Sequence, residues 1–145
     1  MIPAFDPTTG MLPPGVHPAT WSEVVQRFGG NSRRRELLVG LRAAAENLRQ
    51  AGCRCLYLDG SFVTEQDLPG DFDGCWDPAE VDFQLLDPVL LDFRAGRFAQ
   101  KTKYQGELFL SSDIADRNGY LYLEFFQLAK DGSVKGIIAL DLTRL

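Results

Sequence analysis

Histidine and cysteine are scarce in this sequence: His17 is the one imidazole, and Cys53, Cys55 and Cys75 are the three thiols. One imidazole cannot build a histidine cluster, so His17 reads as a loop residue without chemical duty. Three thiols make no even disulfide framework and suit a reducing compartment. Cys53 and Cys55 are spaced to share a metal, but no nearby cysteine or histidine completes a four-ligand zinc set, so packed thiols are expected. No run approaches the roughly 20 apolar residues needed to cross a bilayer. Met1–Pro18 also lacks a basic segment followed by an apolar stretch. No membrane partner and a cytoplasmic location are therefore expected. Basic residues are the minority, with 15 Lys and Arg against 20 Asp and Glu, a formal net charge of −5. That balance excludes global attraction to nucleic acid or an anionic membrane.

What is present supports one folded domain. The 145 residues are 45% apolar and 24% charged, enough for a core and too few for two independent ones. Residues 1–18 hold Pro3, Pro7, Pro13, Pro14 and Pro18 and read as an irregular lead-in, pinned to the body by Ile2, Phe5 and Leu12. Residues 19–145 then form a single domain. Thr20 and Glu23 predict a capping box opening a short helix that Gly29-Gly30 stops. Ser32 is placed to cap a longer helix in which Leu37, Leu38, Leu41, Ala44, Ala45 and Leu48 recur at helical spacing, with Gly52 as terminator. The run Arg33-Arg34-Arg35 reads as a solvated helix start, unfavourable against the helix dipole, with an anion or acidic partner as its functional alternative.

Cys53–Asp59 predicts a core strand with Cys53, Cys55, Tyr57 and Asp59 on one side. Pro78–Phe93 suggests one or two short helices, Tyr104–Leu110 a strand with Gln105, Glu107 and Phe109 on one side, Gly119–Lys130 a helix, although its aromatic density also permits a strand, and Val134–Leu142 a final strand.

The largest charge asymmetry lies between Asp59 and Asp87, a stretch rich in Asp and Glu without a single Lys or Arg. Within it, Asp71 and Asp73 flank Phe72; in a strand both carboxylates share a face while Phe72 turns to the core. They follow Gly60-Ser61, where a glycine lets backbone approach a charged ligand and the Ser61 hydroxyl can donate to phosphate. Paired carboxylates suit a hard divalent ion, Mg²⁺ or Mn²⁺, and such an ion suits a triphosphate. Lys101, Lys103 and Lys135 are candidate triphosphate contacts, and Trp76 either stacks on a base or fills the core.

Gly-Ser, a spacer of about ten residues and Asp-x-Asp resemble the motif of the nucleotidyltransferase superfamily. The segments Leu12–His17, Leu58–Thr64, Pro69–Asp73 and Lys135–Ile138 are similar to an uncharacterised bacterial family of small nucleotidyltransferase-like proteins. The resemblance implies an α+β fold, a mixed β-sheet with helices packed on it, of the minimal kind in DNA polymerase beta-like enzymes. It implies Gly60 and Ser61 as the phosphate turn; of the candidate lysines, Lys103 is preferred beside Lys135 as a nucleotide contact because it precedes the strand bearing Glu107. It implies Asp71 and Asp73 as metal ligands, with Glu107 standing where the superfamily carries a third aspartate. The activity implied is transfer of a nucleoside monophosphate from a triphosphate to a hydroxyl, on a protein, an RNA end or a small molecule. RNA has little support, because no broad basic surface accompanies the arginine run. The alternative is an inactive binding module that keeps the scaffold and recognises a protein partner or a ligand, in the toxin–antitoxin or phage-defence setting common among such small proteins.

Overall fold

Both helices expected after the proline-rich start form, and each has an identifiable cap. In the computed structural model, which describes residues 1–145, α1 spans Trp21–Phe28. The Thr20 hydroxyl accepts from the Glu23 N–H at 3.3 Å and Glu23 Oε1 accepts from the Thr20 N–H at 3.0 Å, the reciprocal capping box. Helix α2 spans Ser32–Gln50, capped by Asn31 rather than Ser32: extended at φ −144°, Asn31 turns its Oδ1 to the Arg34 N–H at 2.9 Å. Leu37, Leu41, Ala44, Ala45 and Leu48 lie along one stripe of α2 and are fully buried.

Five strands form one mixed sheet in the order β1-β5-β2-β3-β4. They are β1 (Gly15–Ala19), β2 (Cys55–Asp59), β3 (Phe72–Trp76), β4 (Gly106–Leu110) and β5 (Gly136–Asp141). Strand β1 corrects the expected lead-in, whose last residues are a regular strand parallel to β5. Pro18 has no N–H to donate, but β1 is an edge strand paired on one side only, where proline is tolerated. The earlier residues are pinned as expected: Arg27 donates to the carbonyls of Pro3 and Ile2 at 2.7 Å each, and Ile2 and Leu12 are buried.

Strand β2 is antiparallel to both β5 and β3, and β3 is parallel to β4. A parallel pair needs a crossover. It contains a single 3₁₀ turn, Pro88–Leu91, in place of the helices expected within Pro78–Phe93, and then α3 (Arg94–Tyr104). Tyr104 thus ends a helix and does not start a strand. An added Cβ at Gly40 would meet the Tyr104 carbonyl, so α3 crosses α2 where α2 has no side chain. The helix expected over Gly119–Lys130 contracts to α4 (Tyr122–Phe125), because its flanks are taken by bridges between Ile114 and Leu121 and between Leu128 and Val134.

Strand alternation gives the sheet two unlike faces. Leu56, Leu58, Phe72, Trp76, Leu108, Ile138 and Leu140 turn toward the main core with α1 and α2, all at most 1% exposed. Burial stabilises by roughly 1.5–3 kcal/mol for each such aliphatic side chain, so this face fixes the register. The alternate residues are forced to the other side. There Cys75 and Ile137 are covered by Phe126, with Tyr57, Phe109, Tyr122 and Leu123 around them. No helix is long and apolar enough to cross a membrane.

Candidate metal centre

On the face opposite α2, Asp59 lies opposite Asp73 in the β2–β3 register, and Asp73 opposite Glu107 in the β3–β4 register. Three adjacent strands therefore present three carboxylates abreast. Asp71, one residue before β3, is returned to the same face by the two-residue period. Ligand oxygens of Asp71, Asp73 and Glu107 all lie within 4.8 Å of one another, and no other grouping of His, Cys, Asp and Glu in the chain comes together in this way.

Like charges set side by side in a sheet destabilise it, and the carboxyl groups register the crowding. Burial, reinforced by Asp71, Glu107 and Asp59, raises the pKa of Asp73 to about 8. Burial, then Glu107, also raises Asp71, and burial raises Asp59 against the pull of Lys135. A site that holds its carboxylates against their own repulsion is one that a cation stabilises.

Gly60 is what lets the turn approach this cluster. Its φ of +82° and ψ of −174° lie in a region essentially reserved for glycine. A Cβ there would stand 2.5 Å from Asp73 Oδ2. The Gly-Ser turn and Asp73 are thus in direct contact although 13 residues apart. After the turn, Ser61–Val63 form one 3₁₀ turn, closed by the Thr64 hydroxyl donating to the Ser61 carbonyl at 2.7 Å.

The segment from Ser61 to Gly70 is held by the arginines read as a solvated helix start. Arg34 is buried at 6% exposure and donates to the carbonyls of Phe28, Phe62, Thr64 and Gln66 at 3.2, 2.6, 2.8 and 2.6 Å. Arg33 donates to the carbonyls of Pro69, at 3.1 Å, and Gly70, and to Gln105 Oε1 at 3.2 Å. These side chains make the start of α2 a clamp on the loop that joins the turn to Asp71. Only Arg35 stays on the surface in the manner expected, with a long 3.4 Å contact to the Gly29 carbonyl.

Gly60, Asp71, Asp73 and Glu107 are therefore brought together, and Ser61 adjoins them in the turn. Lys135 is nearby, its Nζ 2.6 Å from Asp59 Oδ1 in a pair that is 15% and 8% exposed. Lys103 is turned elsewhere: its Nζ lies 2.5 Å from Asp87 Oδ2, which the Tyr104 hydroxyl also contacts. Arg97 and Lys101 take the place expected of it, at 2.6 and 3.8 Å from Glu107 Oε2. Arg97 carries no local signal of this, because the crossover alone brings it to Glu107, ten residues on. Trp76 is wholly buried and belongs to the core, so it offers no base-stacking surface. Cys53 is likewise a packed thiol, donating to the carbonyls of Cys55 and Asp77 at 3.3 and 3.4 Å, and burial pushes its pKa up to about 12.

Three hard carboxylate donors, with room made by Gly60, are the chemistry that suits Mg²⁺ or Mn²⁺ and not a soft metal. Residues 3–141 match DUF6932, a family of unknown function, and the chain belongs to that family. No curated protein and no solved structure matches the chain.

Proposed function

We propose that this family member is a metal-dependent nucleotidyltransferase that moves a nucleoside monophosphate from a nucleoside triphosphate to a hydroxyl acceptor. The observation that carries the reading is the convergence of Asp71, Asp73 and Glu107 within 4.8 Å, beside a Gly60-Ser61 turn in contact with Asp73. The order of strand, Gly-Ser turn, antiparallel strand with Asp-x-Asp, helical crossover and parallel strand with the third carboxylate also supports it.

In this reading Asp71, Asp73 and Glu107 hold Mg²⁺ or Mn²⁺, which supplies positive charge where negative charge develops on the transferring phosphoryl group. The extra methylene of Glu107 relative to aspartate does not keep it from the other two carboxylates. The Ser61 hydroxyl and the N–H groups of the turn bind phosphate oxygens, and the open backbone of Gly60 lets them come close. Lys135 pairs with Asp59 and offsets part of the charge that this fourth carboxylate of the row sets beside Asp73. The acceptor oxygen bonds to the α-phosphorus and the bond to the β-phosphate bridging oxygen breaks. Pyrophosphate leaves with that electron pair, and the acceptor proton passes to a carboxylate of the triad.

The test is label transfer from α-labelled triphosphates in Mg²⁺ or Mn²⁺, offered protein, RNA and small-molecule hydroxyls, with pyrophosphate release measured in parallel. Label should move in the wild type and not in Asp71→Asn or Asp73→Asn; undiminished transfer in those variants overturns the assignment. The 2.6 Å pair between Arg97 and Glu107 favours a second reading, a binding module in which a side chain occupies the third carboxylate. That module binds a protein partner as tightly with the aspartates replaced as without.

A further inference from the structure

The Arg97 guanidinium is committed to Glu107 through one donor only. Its Nε–H lies 2.6 Å from Glu107 Oε2, and this is the hydrogen bond the side chain makes within the chain. The two Nη groups of the fork, a geometry matched to phosphate oxygens, make no hydrogen bond within the chain. Arg97 is one-third exposed at 33%, while its partner is 16% exposed, so the pair is approached from the Arg97 side.

The backbone beneath it is unusual. Ala95, Gly96 and Arg97 are left-handed in succession, with φ of 49°, 64° and 63°, and two of the three carry a Cβ that disfavours this region. Regular helix begins only afterwards. Such a turn persists where its surroundings hold it, and the contacts at its end are the Glu107 pair and the Phe109 ring, whose centroid is 5.5 Å from Arg97 Cζ. A flat aromatic face supports a guanidinium without fixing its direction. Lys101, on the following turn of α3 and 3.8 Å from the same carboxylate oxygen, retains positive charge beside Glu107 if Arg97 departs.

We propose that Arg97 is both the resident counter-ion of the carboxylate cluster and a ligand of the substrate triphosphate. It neutralises Glu107 while no divalent ion is bound, leaves when that carboxylate takes one, and turns its fork to the phosphates. The inference rests on the nucleotidyltransferase reading and deepens it by naming a phosphate-binding side chain from the crossover. It also removes the conflict between an occupied Glu107 and a working site, because the occupant is exchangeable.

The experiment compares the full-length wild type with Arg97→Gln and Arg97→Lys. Mn²⁺ is titrated alone with free ion read by electron paramagnetic resonance, then a nonhydrolysable triphosphate is titrated at saturating Mn²⁺ by calorimetry. Arg97→Gln removes a competitor for Glu107 and a contact to phosphate. It should bind Mn²⁺ about tenfold tighter and the triphosphate about tenfold weaker, the scale of one charge-assisted hydrogen bond. Arg97→Lys should fall between. Affinities that are unchanged or weaken together overturn the proposal, and so does an Arg97→Lys variant equal to wild type in both, because the loss of a point charge then accounts for the Arg97→Gln effects without the fork. Independently of any variant, the Arg97 Nε–H resonance of the wild type should shift on saturation with Mg²⁺; a resonance that stays in place overturns it. Wild-type protein that binds neither Mn²⁺ nor triphosphate refutes the nucleotidyltransferase reading itself, whereas wild-type binding of both with an unaltered Arg97→Gln refutes this inference alone.

Discussion

Replacing Gly60 by alanine probes the contact on which the site is built. The backbone at Gly60, φ +82° and ψ −174°, costs an L-residue on the order of 1–3 kcal/mol. The new Cβ would lie 2.5 Å from Asp73 Oδ2 and 3.2 Å from Asp73 Cβ and Cγ, so the carboxylate has to move. Overpacking of this sort adds about 1–3 kcal/mol. The stiffer unfolded chain returns about 0.4–1 kcal/mol, leaving Gly60→Ala destabilised by about 1–5.5 kcal/mol.

Urea unfolding in chelator at neutral pH measures that loss, and a cycle with Asp73→Ala divides it. Removing the Asp73 carboxyl removes the 2.5 Å clash and leaves the backbone cost, so the double variant should recover about 1–2 kcal/mol relative to the sum of the single changes. Gly70→Ala is the control: an added Cβ meets nothing within 4 Å, so it should stay within about 0.5 kcal/mol of wild type. A Gly60→Ala protein as stable as that control, or a cycle without coupling, would refute the argument that the turn and Asp73 are packed against each other.

The arginine clamp and the crowded carboxylates give two further predictions. Arg34→Ala leaves three loop carbonyls and that of Phe28 at the end of α1 without their donor and should cost about 3–5 kcal/mol. Arg34→Lys should not rescue it, since one ammonium cannot replace a planar fork across four acceptors, and limited proteolysis should then cut within residues 61–70. For pH, Asp73, Asp71 and Asp59 are raised in the folded state, so between the ordinary value of 3.8 and about 8 the folded protein binds more protons than the unfolded. Metal-free stability should therefore fall as pH rises through that window, and Asp73→Asn should flatten the slope. Saturating Mn²⁺ should raise Tm more at the alkaline end, because it binds the deprotonated carboxylates. Melting curves in chelator that are flat or rise between about pH 5 and pH 8 would contradict this account.

Local chemistry was readable wherever the deciding interaction lies within a few residues. Thr20 and Glu23 cap α1 by contacts three residues apart, and Asp71 and Asp73 share a side because a strand has period two. Arg34 was misread because helix periodicity says only which side a residue leaves from. It cannot say that three carbonyls of a distant loop wait within reach of a long side chain. The prolines of residues 1–18 predict an irregular lead-in, and the strand at its end forms because β1 is an edge strand. Arg97 gave no sign in the sequence, and Lys103 was preferred because it stands closer to the strand of Glu107, yet on α3 it faces Asp87.

From its residue order alone the chain determines an α+β fold, the carboxylate pair at the start of β3, the glycine turn before it and the side of β4 that Glu107 shares with Phe109. Tertiary structure decided the rest: that β3 and β4 lie side by side with Asp73 opposite Glu107, which cations stand against them, and which arginine holds the loop. Periodicity assigns a side chain to a face. Register between strands joined by a crossover depends on burying Phe72, Leu108 and their neighbours under α2, and that choice is made only when the core assembles.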